Sequence, residues 1–274
     1  MSEVATKAAT GATYDRLKTL LTSGQPAVVA TVIRGEPLGA KLLIGPDLVE
    51  GTTGDAMLDD RIAMDARALL PGQRSGIRQL AVEGAEPIEL FLDVFPAPPV
   101  LLIVGAVHVA QSLCRFAKQL GFIVIVTDAR AKLATPERFP DADRIIQAWP
   151  DAAMEGLEIG PNTHVAILTH DPKFDEPALL SALQTSARYI GAVGSRSTNR
   201  DRANRLRDAG VAGEQVARIH GPIGLDIGAE TPDEMAISIL AEIIATRHGR
   251  EGGQLTEASG PIRGPLPGAE SSTS

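Results

Sequence analysis

The chain is poor in aromatic residues, cysteine, positive charge and long apolar runs, and each shortage removes a class of function. Phe, Tyr and Trp together make up 3% of the 274 residues, too few for a surface that grips nucleic acid by stacking successive bases. The single cysteine, Cys114, excludes an internal disulfide, a multi-cysteine metal site and the cysteine sets that hold iron–sulfur clusters. With 26 Lys and Arg against 34 Asp and Glu the net charge is −8. That balance, with a pI near 5.2, disfavours nucleic acid or an anionic membrane as the main partner. No stretch reaches the roughly 18 apolar residues of a membrane span, and the opening "MSEVATKAATGATYDRLK" lacks the apolar core of a secretory signal. The expected location is the cytoplasm.

What is present suits two modest domains. Hydrophobic residues make up 44% and charged residues 22%, enough for each domain to bury a core. Residues 1–12 are small and polar and are expected to fray. A short helix is predicted from Tyr14 to Ser23, followed by strands over Ala27 to Ile33 and Gly39 to Ile44. The loop "GTTGDA" precedes a helix in which Met57, Ile62 and Leu69 recur at helical spacing. Strands over Gly76 to Val82 and Ile88 to Val94 complete an N-terminal α+β domain, residues 1–95. The stiff "FPAPPV", Phe95 to Val100, marks the boundary.

Beyond it strands and helices alternate. "VLLIV", "FIVIVTD", "RIIQA", "HVAILTHD" and "ARYIGAVGS" read as five strands, with helices between them, including Pro177 to Gln184 and Thr198 to Ala209. Near-continuous apolar strands alternating with helices predict an α/β fold: a Rossmann-like parallel sheet covered by helices on both faces, residues 96–250. The last helix is sharply delimited, with Thr231 as cap, Pro232 at its first position, Glu234 completing a capping box and Gly249 at its end. The Gly-, Pro- and Ser-rich residues 251–274 are expected to be a disordered tail.

In an open parallel sheet, ligands bind beyond the carboxyl ends of the strands. The residues there are Gly105, Ala106, Val107 and His108 after the first strand and Asp128, Ala129 and Arg130 after the second. Thr169, His170 and Asp171 follow the fourth, and Gly194, Ser195 and Arg196 the fifth. Asp128 falls roughly twenty residues after the glycine loop, where an acidic side chain accepts ribose hydroxyls in dinucleotide-binding units; it also suits a plain strand-end cap. Val107 stands where the second glycine of such a loop would let the backbone approach a pyrophosphate, which weakens an NAD(P) assignment. Thr169, His170 and Asp171 offer acid–base or polar-ligand chemistry, or simple capping. Gly194, Ser195 and Arg196 at a helix start suit a phosphate, while the arginines farther along read as a solvated face. The loop "IHGPIGLDIGAE" carries enough apolar residues to be packed, and Cys114 reads as a buried structural thiol. No metal site is expected.

Together, "LLIVGAVHVAQSL", "VTDAR", "PERFPDAD", "LTHDPKFD", "YIGAVGSR" and above all "ARIHGPIGLDIGAETPDEMAISILAEIIATRHGR" resemble the C-terminal half of the XdhC/CoxI family, the accessory factors of xanthine dehydrogenase and related molybdenum hydroxylases. "VVATVIRGEPLGAKLLI" and "GTTGDAMLD" resemble the family's N-terminal domain more weakly. The resemblance implies a maturation chaperone that carries molybdopterin, the molybdenum cofactor, as cargo. It also implies assistance in exchanging an oxo for a sulfido ligand, with an apo molybdenum hydroxylase and a sulfur donor protein as partners. Two departures stand out: Val107 in "GAVHVA", where many members have glycine, and Asp55 in a loop where many carry cysteine. On that reading Gly194, Ser195 and Arg196 hold a phosphate, Asp128 meets a sugar or pterin hydroxyl, and Thr169, His170 and Asp171 line the cleft. The rival readings are an NAD(P)-dependent oxidoreductase on the same fold and an interaction module with a vestigial pocket. Homodimerisation is compatible with the fold.

Overall fold

The computed structural model describes residues 13–70, 74–81, 86–258 and 262. The expected frayed start (1–12), Val82 and tail residues 259–261 and 263–274 lie outside the described residues; 251–258 form turns without helix or strand. The chain divides into two compact units, the second running from Pro98 to Glu257 and the first taking the residues up to Ala97 together with Ala258.

The first unit contains helix α1 (13–22) and strands β1 (Ala27–Arg34), β2 (Lys41–Ile44) and β3 (Val49–Gly51). Helix α2 (Ala56–Arg67) and strands β4 (Gly76–Leu80) and β5 (Ile88–Phe95) follow. The strands form an antiparallel sheet ordered β3-β2-β1-β5-β4. Alternation in β1 sends Val28, Ala30 and Val32 to one face, where Ile62, Ala63 and Ala66 of α2 cover them. Asp55 caps α2 by accepting the Met57 N–H at 2.9 Å. Met57 itself is 84% exposed, against the expected core role: the apolar stripe of α2 starts at the next residue, half-buried Leu58, and continues through Ile62 and Ala66. Three-residue β3 goes beyond the expected strands, since so short an edge strand leaves no pattern to read.

The second unit is a parallel sheet with helices on both faces. Its elements are β6 (Val100–Val104), α3 (His108–Gln119), β7 (Ile123–Thr127), β8 (Arg144–Ile146), α4 (Pro150–Glu155) and β9 (Thr163–Ile167). They continue with α5 (Pro172–Leu183), β10 (Tyr189–Ala192), α6 (Arg196–Asp208), α7 (Gly213–Val216), β11 (Ile219–His220) and α8 (Pro232–Arg247). The order β11-β10-β9-β6-β7-β8 means that the chain winds outward from β6 through β7 to β8, then returns to β9 and winds the other way. That reversal between β6 and β9 is a topological switch point. Leu101 and Ile103 pack towards α3 and α8, Leu102 and Val104 towards α4, α5 and α6. With Leu101, Leu102 and Ile103 all at 0% exposure, each contributes about 1.5–3 kcal/mol by burial.

Local signals set the ends of α8: the Thr231 hydroxyl accepts the Glu234 N–H at 3.2 Å, and the Glu234 carboxylate accepts the Thr231 N–H at 2.9 Å. Gly249, with φ of +63°, follows its last turn. Three expectations need correction. Between β7 and β8 there are turns rather than a helix. Helix α5 starts at Pro172, not Pro177, because Asp171 caps it and Pro172 occupies the first position that proline tolerates. The two-residue β11, which adds a sixth strand through Ile219 and His220, is invisible to strand periodicity. Among the described residues no helix is long and apolar enough to cross a membrane, and no group of three or more His, Cys, Asp or Glu is placed to hold a metal ion.

Candidate functional site

The carboxyl ends of β6 and β9 meet at the switch point. Gly105 adopts φ of +103°, and a Cβ there would lie 3.1 Å from the Thr169 backbone nitrogen. Glycine is therefore required on both counts. The Ala106 N–H donates to Asp128 Oδ2 at 2.8 Å, tying the end of β7 to the same turn. Asp128 Oδ1 accepts the Arg130 backbone N–H and Nε, at 2.8 and 2.9 Å, and Oδ2 accepts Arg130 Nη2 at 2.8 Å. Four donors thus fill a carboxylate that offers about four lone pairs. Burial opposes ionisation of Asp128, yet the bonds from Arg130 and Ala106 outweigh it and hold the carboxyl below its ordinary value. The side chain of Asp128 is 3% exposed and that of Arg130 46%: the acid is built in and the base faces outward.

Gly105, Asp128, Arg130, Thr169 and Phe174 line a shallow cleft, open to solvent, with about 10 Å3 of room for water. The Arg130 guanidinium lies 5.6 Å from the centroid of Phe174. Phe174 stacks on Trp149 at 4.9 Å with planes 23° apart, and Lys173 Nζ sits 5.2 Å from the Trp149 ring. Thr169 is buried, and its hydroxyl accepts the Asp171 N–H at 3.3 Å. Asp171 accepts the Lys173 N–H at 3.0 Å, capping α5. His170 and His108 are exposed. Val107 is the residue before α3, with φ of −84° and its side chain against the core; its backbone has no need of glycine.

Gly194, Ser195 and Arg196 lie one strand further, after β10, beside the loop from Gly221 to Asp226 rather than in the cleft. A Cβ on Gly194, whose φ is +132°, would crowd Thr198 at 3.1 Å. Ser195 Oγ accepts the Thr198 N–H at 3.1 Å, capping α6. The Arg196 side chain is 87% exposed and 4.0 Å from Asp226. The solvated arginine face is interrupted by Arg202, which is 1% exposed and pairs with buried Asp175 of α5 at 2.6 Å. Its guanidinium also donates to the Val193 carbonyl at 3.1 Å and to Asn199 Oδ1. The side-chain amide of Asn199 in turn donates to the Gly194 and Ser195 carbonyls, at 3.0 and 3.1 Å. Charge alone placed Arg202 on the surface; only a carboxylate waiting on the neighbouring helix makes its burial tolerable.

The "HGPIGLD" loop is pinned by Glu242 of α8. That carboxylate accepts the Gly224 N–H at 2.7 Å and the Tyr189 hydroxyl, and pairs with His220 Nδ1 at 3.1 Å. Ile223 and Leu225 are half-buried, while Ile227 is 52% exposed. Cys114 is 1% exposed, and burial, reinforced by Asp141 and Asp143, pushes its thiol up to about 12. Sequence reasoning missed Phe174 as a cleft residue and Trp149 as the ring stacked on it; the signal available was that a chain so short of aromatics carries one immediately beyond β8 and another just beyond β9.

Comparison with known proteins places these features. The model of the XdhC Rossmann domain matches residues 101–243, and that of the XdhC and CoxI family matches residues 20–81. The uncharacterized protein YqeB of Escherichia coli K12 is 32% identical over 234 residues, 81% of this chain and 43% of that protein. A probable xanthine dehydrogenase subunit from Bacillus subtilis is 33% identical over 158 residues, 58% of this chain and 46% of that protein. The molybdenum cofactor insertion chaperone PaoD of Escherichia coli K12 is 32% identical over 103 residues, 38% of this chain and 32% of that protein. The chain thus spans less than half the length of these curated relatives. A crystal structure of a xanthine dehydrogenase from Bacillus halodurans shares the fold, with a TM-score of 0.52 and 23% identity over 86% of this chain and 94% of that one.

Proposed function

Because the chain belongs to the XdhC and CoxI family, we propose that it binds the molybdenum cofactor as cargo and serves a molybdenum hydroxylase such as xanthine dehydrogenase as an accessory protein. The observation that carries this reading is the cleft at the switch point, where one outward-facing cation, Arg130, is held by a buried carboxylate that is itself fixed by a main-chain N–H beside the Gly105 turn. A guanidinium fixed in this way presents its remaining donors to a phosphate, the group by which the cofactor is tethered. The name of PaoD supports the same cargo. Sulfuration, on this reading, draws sulfur from a separate donor protein: Cys114 is buried with its thiol pushed to about 12, and Asp55 caps a helix where a cysteine would serve as relay.

The test is to purify the full chain from cells that make the cofactor, oxidise it, and measure the fluorescent pterin released. Retained pterin that falls at least fivefold in Arg130→Ala is the expected result. No pterin on the unmodified chain, or equal retention by the variant, refutes the reading. A nicotinamide dinucleotide has less support, since Asp128 stands at the ribose position with its acceptors already filled and Val107 occupies the place of the second glycine. Calorimetric titration with NAD and NADP is expected to show no micromolar binding.

A further inference from the structure

We propose that the Trp149–Phe174 pair is a seat for a planar fused-ring heterocycle, a purine or a pterin, with Arg130 and Lys173 closing on a phosphate carried by the same molecule. The inference rests on the cofactor-binding reading of the cleft and narrows it to a ring and a contact.

Four observations support it. The two rings come from opposite sides of the switch point: Trp149 precedes α4 on the β8 side, and Phe174 lies in the first turn of α5 on the β9 side. They stack at 4.9 Å, yet neither belongs to the apolar cores on the two faces of the sheet. Trp149 keeps 42% of its surface exposed, so its indole is presented to solvent instead of being used for packing. Finally, two cations already lie against these rings, Lys173 at 5.2 Å and Arg130 at 5.6 Å. Aromatic faces and guanidinium planes are what flat nitrogen heterocycles stack on, and the flexible ammonium of Lys173 can leave the indole for a phosphate. The crevice itself has only about 10 Å3 of room for water, far below the roughly 300 Å3 at which drug-sized pockets begin. The ligand therefore lies on the surface above it, with its ring on the exposed face of Trp149 and its phosphate at the outward-facing Arg130 guanidinium. Asp171, which also faces Arg130, sets a limit on how much negative charge this corner accepts.

Trp149 is the only tryptophan, so its emission reports on the seat in the full chain. The probes are guanosine 5′-monophosphate, 6-hydroxymethylpterin phosphate and, as the ringless control, ribose 5-phosphate, each titrated by calorimetry and by emission. Expected is one site for at least one ring-bearing probe, at least about tenfold weaker binding of ribose 5-phosphate, and quenching of Trp149 over the same concentration range. Binding of the nucleotide alone assigns the seat to the nucleotide end of a cofactor, and of the pterin alone to the pterin end; either supports the seat. Trp149→Leu is expected to lose about tenfold in affinity and Trp149→Phe to stay within about threefold. Failure of both ring-bearing probes to bind, unchanged Trp149 emission at saturation, or full affinity in Trp149→Leu overturns the inference. Cell-derived pterin retained equally by Trp149→Leu and the unmodified chain overturns the seat and leaves the cargo reading intact. Ring-dependent quenching in a chain that retains no pterin from cells does the reverse.

Discussion

Replacing Arg202 by Met tests how the second unit is held together behind its strand ends. Both partners of the Arg202–Asp175 pair have side chains 2% exposed, so removing the cation strands a carboxylate where water cannot reach it. It also takes donors from the Val193 carbonyl and from Asn199. Breaking a buried pair from one side costs about 3–5 kcal/mol, a large share of the roughly 5–15 kcal/mol that stabilises a domain. In a unit of this size that lowers the melting temperature by roughly 10 °C. The double variant Asp175→Leu with Arg202→Met removes both charges and is expected to recover most of the loss, the more so because Asp175 Oδ1 has no hydrogen-bond partner among the described residues. Denaturant unfolding followed by Trp149 emission reads this unit alone, since the first unit contains no tryptophan. A single variant that costs less than about 1 kcal/mol, or a double variant no more stable than the single, refutes the reasoning.

His164 is buried, and burial above all pulls its imidazole down to about 4 from an ordinary value of 6.5. The unfolded chain then takes up a proton between those values while the folded one does not, so stability falls as pH drops from 6.5 towards 4, by up to about 3 kcal/mol. His164→Gln should flatten that part of the curve in pH-dependent denaturant titrations. Gly105→Ala forces a side chain into φ of +103° with its Cβ 3.1 Å from the Thr169 nitrogen. A loss of about 1–3 kcal/mol in thermal unfolding is expected, and an unchanged melting temperature means that the turn is not as described. Cys114, buried with its thiol pushed to about 12, should resist Ellman's reagent in the native chain and react within minutes once urea unfolds it. Rapid native labelling contradicts its placement.

The order of strands and helices in the second unit was legible because its signals are local. Five-residue apolar runs such as "VLLIV", the Thr231 to Glu234 capping box and the Gly105 turn each report on their own segment. The candidate strand-end residues were legible for a related reason, since a parallel sheet sends every carboxyl end to one edge. The exceptions follow from the same physics: β3 and β11 are too short for a period, and the turns between β7 and β8 replace a helix where a covered sheet led one to expect it.

Sequence alone determined that this chain has a Rossmann-like half, that Val107 interrupts its glycine loop and that Cys114 is a core thiol, because backbone geometry and burial leave local marks. Tertiary structure alone decided that Asp128 is filled by Arg130 and Ala106, that Arg202 goes inside to meet Asp175, and that Trp149 and Phe174 share a stack. Each of those is a meeting between side chains on separate strand ends or helices, whose pairing depends on sheet order and carries no periodicity of its own.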